Sequence, residues 1–355
     1  MSQAEPTSDK AAAEGRADPR RLREVLDGAE NVLVFCHMNP DPDSLASALA
    51  MAHLLETRFG KTVTTCYRGI IGRAQNREMV RRLMGELKPF RDIDEFDFGA
   101  AVLVDAQPSF GFEPEDLEEQ EIPVVACVDH HPLVPSTLEL PFSDVRPDYG
   151  STSTIMTEYL RLFSVEPSAR VATALFYGIR TDTLGLTRRT SDVDREAYTY
   201  LQQYVDHEAL VAIENPPLTR DYFRHLRDAI EHARVFGDLV LTHLDEMPYP
   251  DLVAEVADLL LKVEKAHWSV CMGWFDRMMF VSVRTDDPSG DAGVFVRQVV
   301  RELGSAGGHN TMAAARLALD DEDPAGDFDG LKRELISRLL EQIGRPEEEG
   351  EPLVG

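Results

Sequence analysis

Asn31-Val-Leu-Val-Phe-Cys36-His37-Met-Asn-Pro-Asp41-Pro-Asp43-Ser44 joins a continuous apolar run to one imidazole and two carboxylates. The run Asn31 to Cys36 is β-branched and apolar without alternation, as in a strand covered on both faces. Ser44 is a natural N-cap, so a helix is predicted from Ser44 to Phe59. The acidic loop is therefore squeezed between an apolar strand and an apolar helix. Burying that much charge without a partner costs several kcal/mol per ion, and the usual remedy is a paired cation or a bound metal. Pro40 and Pro42 are expected to hold Asp41 and Asp43 in extended backbone, with side chains on opposite sides that serve two different ions. Taken alone, the segment reads equally well as an N-capping loop with surface aspartates.

It does not stand alone. Apolar runs recur at Thr62–Cys66, Ala100–Val104 and Val124–Val128, separated by loop or helical segments. Strands alternating with helices predict an α/β fold with a doubly wound, mainly parallel sheet, where ligands gather at the carboxyl ends of the strands. The second of these runs ends in Asp105 and the third in Asp129-His130-His131, and the apolar helical run at Phe176 leads to Asp182. One strand-end Asp is an ordinary turn residue; a set of them with adjacent histidines points to metal ligation. Carboxylates and imidazoles without thiolate select hard or borderline ions, Mn²⁺ first, with Mg²⁺ or Co²⁺ as substitutes. Cys36 and Cys127 are expected to point away from the residues that follow them.

The 355 residues carry 63 Asp plus Glu against 36 Lys plus Arg, a formal net charge of -27. Such a chain repels a long polyphosphate backbone, so long duplex nucleic acid is not an expected partner. The four cysteines form no C-x-x-C pair, which fits a reducing compartment. The first twenty residues lack a signal-peptide core and no run is long enough to span a bilayer, so a cytoplasmic, membrane-free protein is expected.

The organisation predicted is a disordered leader over 1–20, a catalytic domain over 21–200, a helical connector over 201–234 broken at Pro216-Pro217, a smaller α/β substrate-binding domain over 235–345, and an acidic tail over 346–355. The active site is expected in the cleft between the two domains. In the smaller domain, strands are predicted at Gly237–Leu244, Val270–Trp274 and Met278–Arg284, and helices at Gly293–Leu303 and Thr311–Leu319. Gly307-Gly308-His309 would then lead into a helix N-terminus, a ready anion site. Arg73, Arg77 and Arg81 recur every fourth residue and read as one helix face, either solvated or a positive rim.

His37-x-x-x-Asp41-x-Asp43, Asp105, Asp129-His130-His131 and Gly178-Ile-Arg-Thr-Asp182-Thr occur together in this order. The combination resembles the DHH phosphoesterase superfamily, which includes RecJ-like exonucleases, family II pyrophosphatases and nanoRNase/3'-phosphoadenosine 5'-phosphate phosphatases. The resemblance implies His37 and Asp41 as ligands of one ion, Asp43, His130 and Asp182 as ligands of a second, and Asp105 bridging both. It implies His131 as a donor to the substrate phosphate and Asp129 as the group that orients the histidines. Ser151 and Thr152, in a Gly-Ser/Thr segment before an apolar helix, fall at the wall of the implied site.

Gly307-Gly308-His309 with the alanines that follow is similar to the Gly-Gly-His motif of the DHH-associated substrate-binding domain, and Arg284 falls where the nanoRNase branch carries a phosphate-binding arginine. Arg316 stands where many relatives carry Gly. The implied activity is hydrolysis of short oligoribonucleotides or 3'-phosphoadenosine 5'-phosphate by the stand-alone branch. The alternatives are a cyclic- or linear-dinucleotide phosphodiesterase and a catalytically silent nucleotide-binding module. Relatives of this branch are often dimers, so a homodimer is the implied assembly.

Overall fold

The structure, a computed structural model, describes residues 15–93, 98–112, 122–308, 310–320, 322–345 and 349–354. It divides into two compact units, residues 1–216 and 217–355. The break falls at Pro216-Pro217, between two helices of the segment expected as a connector.

The first unit is built on strands β1 (Asn31–Cys36), β2 (Thr62–Tyr67), β3 (Leu87–Pro89), β4 (Ala100–Val104), β5 (Val124–Asp129) and β6 (Phe142–Val145). All adjacent pairs are parallel, in the order β3-β2-β1-β4-β5-β6. The order reverses between β1 and β4, which opens a crevice at their carboxyl ends. The unbroken apolar run of β1 is explained by a core on each side. Val32, Val34 and Cys36 pack into one cluster and Leu33 and Phe35 into another. Of the expected leader, residues 1–14 lie outside the described residues, whereas 15–17 hydrogen-bond along β6, with Ala17 N donating to Ser143 O at 3.0 Å.

The helices of this unit are α1 (Leu22–Val25), α2 (Pro42–Leu54), α3 (Ala74–Met79), α4 (Thr152–Leu162), α5 (Ala169–Asp182), α6 (Asp192–Gln202) and α7 (His207–Glu214). Helix α2 is buried along nearly its whole length, as its continuous Leu/Ala/Met composition requires. Its start corrects the sequence reading. The N-cap is Asp41, whose side chain accepts from Ser44 N, and Pro42 is the first helical residue. The arginine stripe is also corrected. Arg73 precedes α3, and a π-turn over Val80–Met84 breaks the fourfold spacing before Arg81, which hydrogen-bonds Glu78.

The second unit contains α8 (Arg220–His232), β7 (Arg234–Phe236), β8 (Leu239–Glu246), α9 (Leu252–Leu260), β9 (Trp268–Phe275), β10 (Met278–Thr285), α10 (Ala292–Val299), β11 (Ser305–Gly308), β12 (Met312–Ala318), α11 (Pro324–Gln342) and β13 (Glu351–Pro352). Its sheet runs β11-β12-β10-β9-β8-β7-β13, with only the β8–β9 pair parallel. The helix expected at Thr311–Leu319 is in fact strand β12. Ala313, Ala315 and Leu317 are buried while Ala314, Arg316 and Ala318 are exposed, the twofold period of a strand. Within the acidic tail, Glu351 and Pro352 pair with β7. Among the described residues, no helix is long and apolar enough to cross a membrane.

Candidate metal centre

The carboxyl ends of β1, β4 and β5 deliver His37, Asp105 and Asp129-His130 to neighbouring positions, because these strands are adjacent in the sheet. Helix α2 brings Asp41 and Asp43 from its first turn, and α5 ends on Asp182. Asp41 is extended (φ -88°, ψ 179°), but Asp43 is already helical. Helix onset, not alternation along an extended loop, therefore sends the two carboxylates to different places.

His37 Nε2 lies 3.6 Å from Asp41 Oδ1 and 3.6 Å from Asp105 Oδ2. His130 Nε2 lies 3.4 Å from Asp182 Oδ2, 3.7 Å from Asp105 Oδ1 and 3.9 Å from Asp43 Oδ2. Asp105 thus faces His37 with Oδ2 and both His130 and His131 with Oδ1. Ligand-type atoms lie within 4.8 Å of one another in each of three sets: His37, Asp41 and Asp105; Asp43, His130 and Asp182; and Asp105, His130 and His131. No cysteine joins them, in keeping with the expectation for Cys36 and Cys127, whose thiols donate to Cys66 O and Ala106 O.

These separations test whether a divalent cation fits. They are longer than N–H···O hydrogen bonds. Two groups bound at about 2.1 Å to one ion stand roughly 3–4 Å apart, which matches. His130 Nε2 is buried and has no hydrogen-bond partner, a condition that proteins otherwise avoid. The other ring nitrogens are occupied. His37 Nδ1 lies 2.7 Å from Met38 O, and His130 Nδ1 lies 3.3 Å from Tyr149 O. Both rings are thereby fixed with Nε2 toward the carboxylates, as in histidines that ligate metals. The residues fit the ions.

Surrounding groups hold the carboxylates in place. Asp43 is fully buried; its oxygens accept from Thr152 N (2.7 Å) and Ser153 N (2.8 Å) at the start of α4. Thr152 Oγ1 donates to Asp105 Oδ1 at 2.8 Å. Gly178 lets α5 come close to α2, since a Cβ there would collide with Ser153 Oγ and lie 3.2 Å from Asp43 Cα. Asp105 sits at φ +56°, a left-handed conformation that Asp tolerates better than most residues. Asp129, buried, accepts from His130 N (2.8 Å), His131 N (3.2 Å) and His131 Nδ1 (2.9 Å).

Electrostatics agree. Burial, reinforced by the charge of Asp182, pushes Asp43 up to about 7. Burial and the charges of Asp43, Asp41 and Asp129 raise Asp105 well above the carboxylate range. Burial alone would lower His130, but Asp182 beside it drives the imidazole up to about 10. Burial likewise opposes charge on His37, and Asp41 overcomes it, giving about 9. Without cations the cluster holds protons in their place.

The substrate-contact residues expected from sequence fare less uniformly. Ser151 and Thr152 have no exposed surface. Ser151 caps α4, and Thr152 donates to Asp43 through its backbone N–H and to Asp105 through its hydroxyl. Gly307 and Gly308 pair with Ala314 and Ala313 as antiparallel strand, and no helix N-terminus follows. His309 lies outside the described residues. Arg284 donates to Asp258 Oδ1 (2.5 Å), Ser282 Oγ (2.7 Å) and Val283 O (3.1 Å), and Arg316 to Ser305 Oγ (3.2 Å).

One residue was missed. Gln107 is fully buried and its Nε2 donates to Asp129 Oδ2 (2.6 Å) and Pro132 O (3.1 Å). Its Oε1 accepts from Val134 N (2.8 Å) and Thr137 Oγ1 (2.9 Å). An amide two residues beyond a strand-end Asp was the only available signal.

Comparison with known proteins places the first unit in a family context. The profile described as "DHH family, N-terminal domain" matches residues 31–179. An uncharacterized protein of Methanocaldococcus jannaschii is 34% identical over 323 residues, covering 90% of this chain and 65% of its own length. A cyclic-di-AMP phosphodiesterase of Bacillus subtilis is 25% identical over 335 residues, covering 88% of this chain and 49% of its own length. The chain thus spans about half of one of these curated relatives and 65% of the other. An exopolyphosphatase-related protein from Bacteroides fragilis superposes with a TM-score of 0.69 at 16% identity, covering 90% of this chain and 97% of that one, a likeness of fold.

Proposed function

Residues 31–179 of this chain are a DHH-family N-terminal domain, and on that premise we propose that the protein is a metal-dependent phosphoesterase acting on short nucleotide substrates. The observation that carries the reading is Asp105, whose two oxygens face His37 on one side and His130 on the other. His37, Asp41 and Asp105 would hold one divalent cation, and Asp43, His130, Asp182 and Asp105 a second, with Mn²⁺ the best match to this donor set. Two such ions would lower the pKa of water and hold both the entering and leaving oxygens of a displacement at phosphorus.

The chain's own residues do the rest. Asp129 takes the Nδ1–H of His131 and leaves Nε2 to face a phosphate oxygen. Gln107 and the two backbone amides fix Asp129 in turn. In the net reaction water oxygen bonds to phosphorus, the P–O ester bond breaks, and a proton passes to the leaving oxygen. Water is the nucleophile in this reading, and no covalent intermediate with the chain is required.

Short oligoribonucleotides and 3'-phosphoadenosine 5'-phosphate are the first substrates to test. A cyclic or linear dinucleotide is the second reading, favoured by similarity across 88% of the chain to a cyclic-di-AMP phosphodiesterase. Hydrolysis of these compounds with added Mn²⁺ is the test. Turnover of one or more is expected; cleavage of long single strands alone, or no metal-dependent hydrolysis, would overturn the proposal.

A further inference from the structure

One large ring stands in solvent beside the cluster. Phe110 is 42% exposed, and its centroid lies 4.9 Å from that of His131 at 51°. A tight turn holds it there. Gln107 N donates to Phe110 O (2.9 Å), Phe110 N donates to Gln107 O (2.8 Å), and Ser109 adopts φ +67°. The turn is tied to the segment that carries the histidines through the buried Gln107 side chain, and Ser136 Oγ donates to Pro108 O (3.1 Å).

An exposed aromatic on a rigid turn is a preformed stacking surface, because little freedom is lost when a planar ligand covers it. We infer that Phe110 is the platform on which a nucleobase of the substrate stacks, next to the phosphate held by His131. This rests on the nucleotide reading above and deepens it. One imidazole separates the ring from the carboxylates, as one sugar separates a base from its phosphate. Phenylalanine offers no hydrogen-bonding group to a base edge, so the contact accepts any base.

The test compares wild type with Phe110→Ala and Phe110→Trp in the full chain. A linear dinucleotide containing 2-aminopurine is titrated in Mg²⁺, and hydrolysis with Mn²⁺ is followed for pApA and for an abasic analogue. Wild type should quench 2-aminopurine fluorescence; Phe110→Ala should lose the quench and raise KM for pApA about 10-fold, with kcat nearly unchanged. Phe110→Trp should retain both, and the abasic analogue should not distinguish the variants. Equal losses on pApA and the abasic analogue would overturn the inference and leave the ring as packing for His131. Absence of a quench in wild type would overturn it as well. If no substrate is hydrolysed, the functional proposal fails, while the fluorescence titration still decides the stacking.

Discussion

Two of the buried acidic sites in the first unit, those at Asp144 and Asp105, are completed in opposite ways. At the end of β6, Asp144 accepts from Arg146 Nε (2.8 Å), Arg146 Nη2 (2.6 Å) and Tyr159 OH (2.7 Å), with the whole group out of solvent. The guanidinium fork supplies charge and geometry together, so the site is closed. At the end of β4, Asp105 takes one hydrogen bond from Thr152 and otherwise faces imidazole nitrogens 3.6–3.7 Å away. Burial is the same, yet here the chain supplies carboxylates to face carboxylates. A buried acid with its own arginine is satisfied by the chain; buried acids gathered with imidazoles fit a divalent cation.

The contrast can be broken by substitution. Asp105→Asn keeps the left-handed backbone and the contact with Thr152, and should reduce kcat by roughly three orders of magnitude. Its metal-free melting temperature should equal or exceed that of wild type, because one of several mutually repelling acids is gone; steady-state kinetics and a thermal melt check both. Arg146→Ala should do the reverse. It leaves Asp144 buried without its partner and should cost about 3–5 kcal/mol in denaturant unfolding, with two ions still bound per folded chain.

Metal itself sharpens the comparison. Mn²⁺ at a hundred times its dissociation constant should stabilise the chain by about 2.7 kcal/mol, read as a rise in melting temperature that excess chelator reverses. Thr152→Val removes the hydroxyl on Asp105 and should weaken Mn²⁺ binding by about 10- to 100-fold, measured by titration calorimetry. Metal affinity should also follow pH. Asp43, held up to about 7 by burial and Asp182, and His37 and His130, held up to about 9 and about 10 by Asp41 and Asp182, must release protons on binding, so Mn²⁺ affinity should climb as pH rises from about 7 toward 10 and fall below that range.

Much of this was legible in the residues. Asp105 and Asp129-His130 each end a run that must be buried, and a polar residue at that boundary is conspicuous. The start of α2 was misplaced because Asp41 and Ser44 are both capping types three positions apart, and only the fold shows which one caps. β12 was misread because alanine occupies both of its faces and hides the twofold period; its strand neighbours β10 and β11 decide the conformation. Gln107 was invisible for another reason. An amide declares its role only when Pro132, Val134 and Thr137, some thirty positions on, fold against it.

Helix α4 carries one more implication. The amides of Thr152 and Ser153 at its beginning, where an incoming anion would ordinarily dock, are already taken by the side chain of Asp43. A phosphate arriving at this crevice finds that seat filled, so on the proposed function its grip would come from the cations and His131. Ions would then enter first, and a chain stripped of them should be nearly blind to inorganic phosphate.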